Sequence, residues 1–195
     1  MNKSRLEAFS DGVFAIIITI MVLEIKMPQG STWQALAGIA PAFFSYVISF
    51  IFIGIYWGNH HHLLHTLKMV SWPIMLANLN LLFWLSLLPL GTNWMGESHF
   101  APVTLVVYAI NLLLSGISYF ILQQLILKRT SANQLLTDAL RKQNTKAYFS
   151  TGCDLLAIPL AYVNPALSCT LFVMQSVIWL IPDRNIEAAL NADED

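Results

Sequence analysis

A carboxylate stands inside the first apolar stretch of this chain, and that single feature restricts the fold more than any other. The stretch runs from Arg5 to Lys26, RLEAFSDGVFAIIITIMVLEIK. Read as a helix it reaches about 32 Å, enough to cross a hydrocarbon core. Glu7 and Asp11 lie near one end and Glu24 near the other. The uncharged part between Asp11 and Glu24 covers only about 18 Å, too short for a plain lipid anchor. A carboxylate within a spanning segment is costly and normally faces protein or water. The sequence therefore predicts an inner helix that lines something.

The faces of this helix separate by angle. At about 100° per residue, Ile16, Ile20 and Leu23 fall on one stripe with Thr19 beside it, while Asp11 lies about 140° from Ile16. One face is an aliphatic ladder with a single hydroxyl. The other carries a carboxylate that needs donors from neighbouring helices.

Composition extends this to the whole chain. Of 195 residues, 56% are hydrophobic and 11% charged, against about 25% charged in soluble domains, which predicts a membrane protein. No basic stripe of the kind nucleic acid needs is present. Cys153 and Cys169 sit in apolar stretches and read as small core residues, with no disulfide or metal motif. Acidic Glu7 and Asp11, and the lack of an A-x-A site before Pro28, argue against a cleaved signal peptide.

Six spans are expected: 5–26, 33–57, 70–93, 101–126, 147–163 and 165–182. Pro28, Gly30 and Ser31 mark the first turn, and Asn164-Pro165 the last. The stretch 128–146 reads as a basic connection, partly helical through Leu135, Leu136 and Leu140. With the N-terminus in the cytoplasm, the inside holds Lys3, Arg5, Lys68, Lys128, Arg129, Arg141, Lys142, Lys146 and Arg184, and the outside only Lys26. That bias supports an even number of spans and places both termini in the cytoplasm. The expected fold is all-α and polytopic, with residues 1–184 forming one membrane domain and 185–195 an acidic cytoplasmic tail.

Two polar groups remain. His61 and His65 are spaced i, i+4, but no carboxylate or cysteine lies beside them to complete a metal set, so hydrogen bonding at the membrane surface is expected. Asp154, the other acid at membrane depth, is expected to pair with a donor at a helix end.

Arg5, Phe9, Ser10 and Asp11 form an RxxxFSD motif at the start of the first span. In this the chain resembles the lysosomal potassium channel family (transmembrane protein 175) and its prokaryotic relatives, and the six expected spans carry the resemblance over residues 4–182. The resemblance implies a potassium-selective cation channel in which first helices line the pore and aliphatic side chains form the constriction. Those positions fall on Ile16, Ile20 and Leu23, with Thr19 as a pore-facing hydroxyl. Animal members join two six-span units; this chain is similar to the single-unit prokaryotic form, which assembles as a homotetramer in the inner membrane. The resemblance also suggests a polar network holding the pore helix to its neighbours. Donors at matching depth are Trp57, His60, His61 and His62 near the end of the second span, and Trp72 and Asn78 in the third.

The chain lacks a TVGYG loop, so carbonyl-lined potassium selectivity of that kind is excluded. A ring of Ile16 side chains would gate by dewetting instead. No cofactor or metal is expected; potassium is the permeant species among monovalent cations, and the partners are the bilayer and further copies of the chain. The rival reading is a secondary transporter of a cation, which would need inverted repeats and broken helices at mid-membrane. Pro73, Pro89 and Pro159 offer breaks, but the halves do not match. A membrane enzyme built on the histidines and Asp11 lacks a nucleophile or metal signature.

Overall fold

The computed structural model describes residues 2–67, 69–130 and 134–180, without the side chains of residues 130 and 134–143. The expected tail 185–195, Lys68 and Arg184, and the side chains of Leu135, Leu136, Leu140, Arg141 and Lys142, lie outside the described residues.

The described residues form eight helices: α1 (Lys3–Leu23), α2 (Trp33–Gly38), α3 (Ala40–His65), α4 (Trp72–Ser86), α5 (Leu88–Glu97), α6 (Pro102–Thr130), α7 (Gln134–Val163) and α8 (Pro165–Leu180). Prolines set several of the boundaries. Pro41 sits in the first turn of α3 and Pro89 in the first turn of α5. A proline ring cannot continue a helix through its own position without losing a backbone bond and meeting the carbonyl four residues back. The expected second span 33–57 is accordingly split at Ile39, and the third, 70–93, at Leu87. α3 runs beyond Trp57 to His65, which puts His60, His61 and His62 on a helix. α1 ends at Leu23, short of Lys26, with Glu24 as its C-cap. The connection 128–146 is more helical than expected: α7 starts at Gln134 and continues unbroken into the membrane-depth segment.

Four segments are long and apolar enough to cross a membrane: Lys3–Leu23, Ala40–His65, Trp72–Glu97, which joins α4 and α5, and Pro102–Arg129. The apolar half of α7 and the shorter helix Pro165–Leu180 form a hairpin. Asn164 caps α8, its Oδ1 accepting from the Ala166 N–H at 3.0 Å.

α6 is the central element, packed against α4, α5, α7 and α8. α3 reaches α5, α1 and α8. α3 and α5 approach closely at Gly96, where a Cβ would stand 2.6 Å from both the Ala42 Cα and the Ser45 Oγ. Three helices are also tied through hydroxyls: Thr92 Oγ1 lies 2.7 Å from Ser49 Oγ, which lies 2.8 Å from the Tyr108 hydroxyl. α1 rests on α3, α4 and α5 from one side, through buried Leu6, Ser10, Phe14, Ile17 and Met21. Only 28% of its apolar window is buried, against 50% for α6, so most of α1 awaits lipid or another chain.

Candidate functional site

The two sides of α1 differ in kind. Arg5, Phe9, Gly12, Ile16, Thr19, Ile20 and Leu23 follow one another at three- or four-residue steps and are all exposed, which places them on one face. Ile16 is 58% exposed, Ile20 40% and Leu23 81%. Thr19 is exposed among them, its Oγ1 donating to the Ile16 carbonyl at 2.9 Å. An uncovered aliphatic stripe along a helix whose other side is packed is a surface made to meet something. Beside it runs a groove of about 340 Å³ lined by Val13, Ile16 and Ile20 from α1 and by Ser86, Pro89 and Asn93.

The buried side is held by polar contacts. Asn78 Oδ1 lies 2.6 Å from His60 Nε2, and Asn78 Nδ2 donates to Ser10 Oγ at 3.0 Å. Ser10 in turn donates to the Leu6 carbonyl at 2.8 Å. Because Asn78 uses its amide protons as donors and its oxygen as acceptor, the proton between it and His60 belongs on Nε2. All three side chains are buried, and the Phe14 ring lies 5.4 Å from the His60 ring. The chain of bonds thus ties α1, α3 and α4 with each partner satisfied, as buried polar groups require.

Asp11 is served separately. Its Oδ1 accepts from the Trp57 indole N–H at 2.9 Å. Ser10 and Asp11 are about 100° apart on the helix, so adjacent residues reach different neighbours. Further toward the N-terminus, Lys3 donates to the His65 carbonyl at 2.6 Å and stands 3.7 Å from Glu7. At the opposite end Asn93 donates to Glu24 at 3.3 Å, and Lys26 pairs with Glu97 at 2.6 Å. The Glu97 carboxylate holds the exposed Lys26 ammonium above the ordinary lysine range by hydrogen bond and charge. α1 is therefore fastened near both ends while its aliphatic stripe stays bare.

The motif residues divide accordingly: Arg5 and Phe9 share the exposed face with Ile16, whereas Ser10 and Asp11 turn to the helices behind. Among the depth-matched donors, Trp57, His60 and Asn78 are brought to α1. His61 and His62 are exposed on α3, with His61 stacked on His65 at 6.4 Å and 6.1 Å from Trp57. Trp72 is 67% exposed at the start of α4 and stands outside these contacts. No cluster of three or more His, Cys, Asp or Glu among the described residues is placed to hold a metal.

Asp154 corrects one expectation. Its donor is not at a helix end: Gln175, inside α8, donates to Asp154 Oδ1 at 2.8 Å. A cross-helix amide leaves no spacing signal in the sequence, and neither does the Thr92, Ser49 and Tyr108 relay.

Comparison with known proteins adds the following. A family model described as the endosomal/lysosomal potassium channel TMEM175 matches residues 5–89. A potassium channel of Chryseobacterium sp. (strain P1-3) is 48% identical over 190 residues, covering 97% of this chain and 98% of its own. A potassium channel of Streptomyces collinus is 32% identical over 179 residues, covering 86% and 87%. The crystal structure of a lysosomal potassium-selective channel TMEM175 homolog from Chamaesiphon minutus superposes with a TM-score of 0.80 at 28% identity, over 93% of this chain and 97% of that one.

Proposed function

The chain belongs to the TMEM175 potassium channel family, an ion channel family and not an enzyme family, and from that membership we propose that it conducts potassium across a prokaryotic inner membrane as a homotetramer. Six spans cross the bilayer: the four long segments, the apolar half of α7 (147–163) and α8. Both termini are cytoplasmic, a placement supported by the lysine and arginine distribution. Residues 1–184 are the channel domain and 185–195 its acidic tail.

The observation that carries this reading is the bare stripe on α1. Ile16, Ile20 and Leu23 are exposed on a helix whose opposite face is packed and hydrogen-bonded. One helix encloses nothing, so a pore needs several copies around an axis. Four α1 helices facing inward bring four Ile16, four Ile20 and four Leu23 side chains together, with four Thr19 hydroxyls between the isoleucine layers. Aliphatic rings supply no ligand to an ion, so passage depends on whether water fills the ring. Potassium sheds water at lower cost than the smaller sodium ion, and a hydrophobic constriction turns that difference into preference. Glu24 at the outer end of α1 presents acid to an approaching cation. The network at Ser10, Asp11, Trp57, His60 and Asn78 holds the helix in register and touches no ion.

Purified protein in planar bilayers tests the function. Single openings passing more than about 10⁶ ions per second lie beyond ordinary turnover numbers and identify a channel. With potassium opposite sodium, the reversal potential is expected to favour potassium. Transport that saturates at enzyme-like rates, without openings, would show a transporter.

A further inference from the structure

A second cavity lies away from α1, in a cleft of about 250 Å³ between α3, α6, α7 and α8. Aromatic rings contribute much of its wall, among them Tyr56, Tyr119, Tyr148 and Trp179. Asp154 lines it and is only 5% exposed. Such an acid at membrane depth is costly and marks a functional site by default.

The hydrogen bonds around Asp154 define what the cavity lacks. Gln175 Nε2 donates to Asp154 Oδ1 at 2.8 Å and to the Ser150 carbonyl at 3.2 Å. The Trp179 indole N–H is spent on Ser150 Oγ at 2.7 Å. Among the described residues Asp154 Oδ2 accepts no hydrogen bond and is not sealed from the cavity. The Gln175 amide and the Trp179 indole are thus engaged, and a carboxylate oxygen is left over. A guest that reaches this oxygen must donate, and the negative ring faces and the acid favour one that is positively charged. Trp179 already has a cation beside it, the Lys146 ammonium at 6.0 Å from its ring.

We propose that this cleft binds a small amphiphilic organic ammonium, its charged nitrogen on Asp154 Oδ2 and its apolar body among the rings. α1 lines no part of the cavity, so the site stands whether or not the ion pathway is as described. An anion meets the carboxylate and the ring faces with the wrong sign. A neutral apolar guest leaves the carboxylate oxygen without a partner, at a cost.

Amantadine, a compact cage with one primary ammonium, is a suitable probe, and adamantane-1-carboxylate is its anionic twin. Titration calorimetry on the purified full-length protein in detergent is expected to show saturable amantadine binding at one site per chain and none for the carboxylate. Asp154→Asn removes the charge and should weaken amantadine by at least about tenfold. Gly116→Leu provides a second arm that keeps the acid: Gly116 lines the cleft and a Cβ there meets only the Tyr56 hydroxyl at 3.7 Å, so the rest of the side chain fills the cavity. This variant should abolish binding, and it decides the matter if Asp154→Asn fails to fold. Absence of amantadine binding to the parent protein would overturn the proposal. So would equal binding of the carboxylate, or amantadine affinity unchanged in the filled cavity.

Discussion

Trp57 on α3 donates its indole N–H to Asp11 on α1 at 2.9 Å, and this bond turns the carboxylate away from the face that carries Ile16. The angle between the two residues, about 140° around the helix, separates what holds α1 from what α1 presents. Asp11→Asn and Trp57→Phe should therefore damage stability and assembly while leaving ion preference alone. A hydrogen bond to a charged group contributes about 1.5–3 kcal/mol, and half-exposure puts this one near the lower limit. Thermal unfolding and size-exclusion chromatography in detergent measure the first effect and bi-ionic recordings the second. A stable Asp11→Asn tetramer with altered preference would place Asp11 on the ion path.

Depth alone does not select the partners of α1. Asn78 is buried between His60 and Ser10, whereas Trp72, a turn and a half earlier on α4, is largely exposed. Asn78→Ala leaves His60 and Ser10 without a shared partner, at about 1–3 kcal/mol for each buried group left unsatisfied. Trp72→Ala removes no such partner. The midpoint of thermal unfolding should fall clearly for the first and little for the second; equal falls would remove the buried relay from the account.

Gly96 sets the approach of α5 to α3. A Cβ would meet backbone at Ala42, which cannot swing aside as a side chain can, so Gly96→Ala should cost about 1–3 kcal/mol through overpacking. Gly152, in α7, has nothing within 4 Å of an added Cβ. Gly152→Ala should be neutral or stabilising by about 0.5–1 kcal/mol, since alanine suits a helix interior better. Melting of the two variants side by side checks the pair.

How far the sequence reached is clearest on α1. A repeat of three and four residues separates Ile16, Ile20 and Leu23 from the opposite face, because helical periodicity is local and needs no partner to be read. Membrane class and the all-helical fold follow from composition and apolar length in the same way. Helix breaks were harder. Pro41 and Pro89 stand in plain view, yet apolar length runs through Ile39 and Leu87 without a change. Partnerships were hardest. Trp57, His60, His61, His62, Trp72 and Asn78 share a depth, but which of them turn toward α1 depends on how α3 and α4 are rotated. That rotation is set by packing across the bundle, and so is the meeting of Asp154 with Gln175.

Orientation is open to labelling. In a background with Cys153 and Cys169 replaced by serine, a cysteine at Gln29, exposed in the loop after α1, should react with an impermeant thiol reagent in intact cells. One at Ser131, outside the described residues, should react only after permeabilisation. The reverse pattern would invert the topology and move Glu24 to the cytoplasmic mouth.

The central claim is that the bare stripe of α1 lines the ion path, and the reversal potential of an Ile16→Asn channel tests it most directly. Asparagine at this position wets the ring, lowers the barrier to small cations and removes the dehydration cost that favours potassium. Val22→Asn is the matched control: Val22 is also exposed, 47%, but lies about 120° from Ile16 around the helix. With potassium opposite sodium, Ile16→Asn is expected to raise the current and shift the reversal potential toward zero, while Val22→Asn does neither. An Ile16→Asn channel that assembles normally and keeps the parent reversal potential would contradict the claim and take Ile16 out of the constriction.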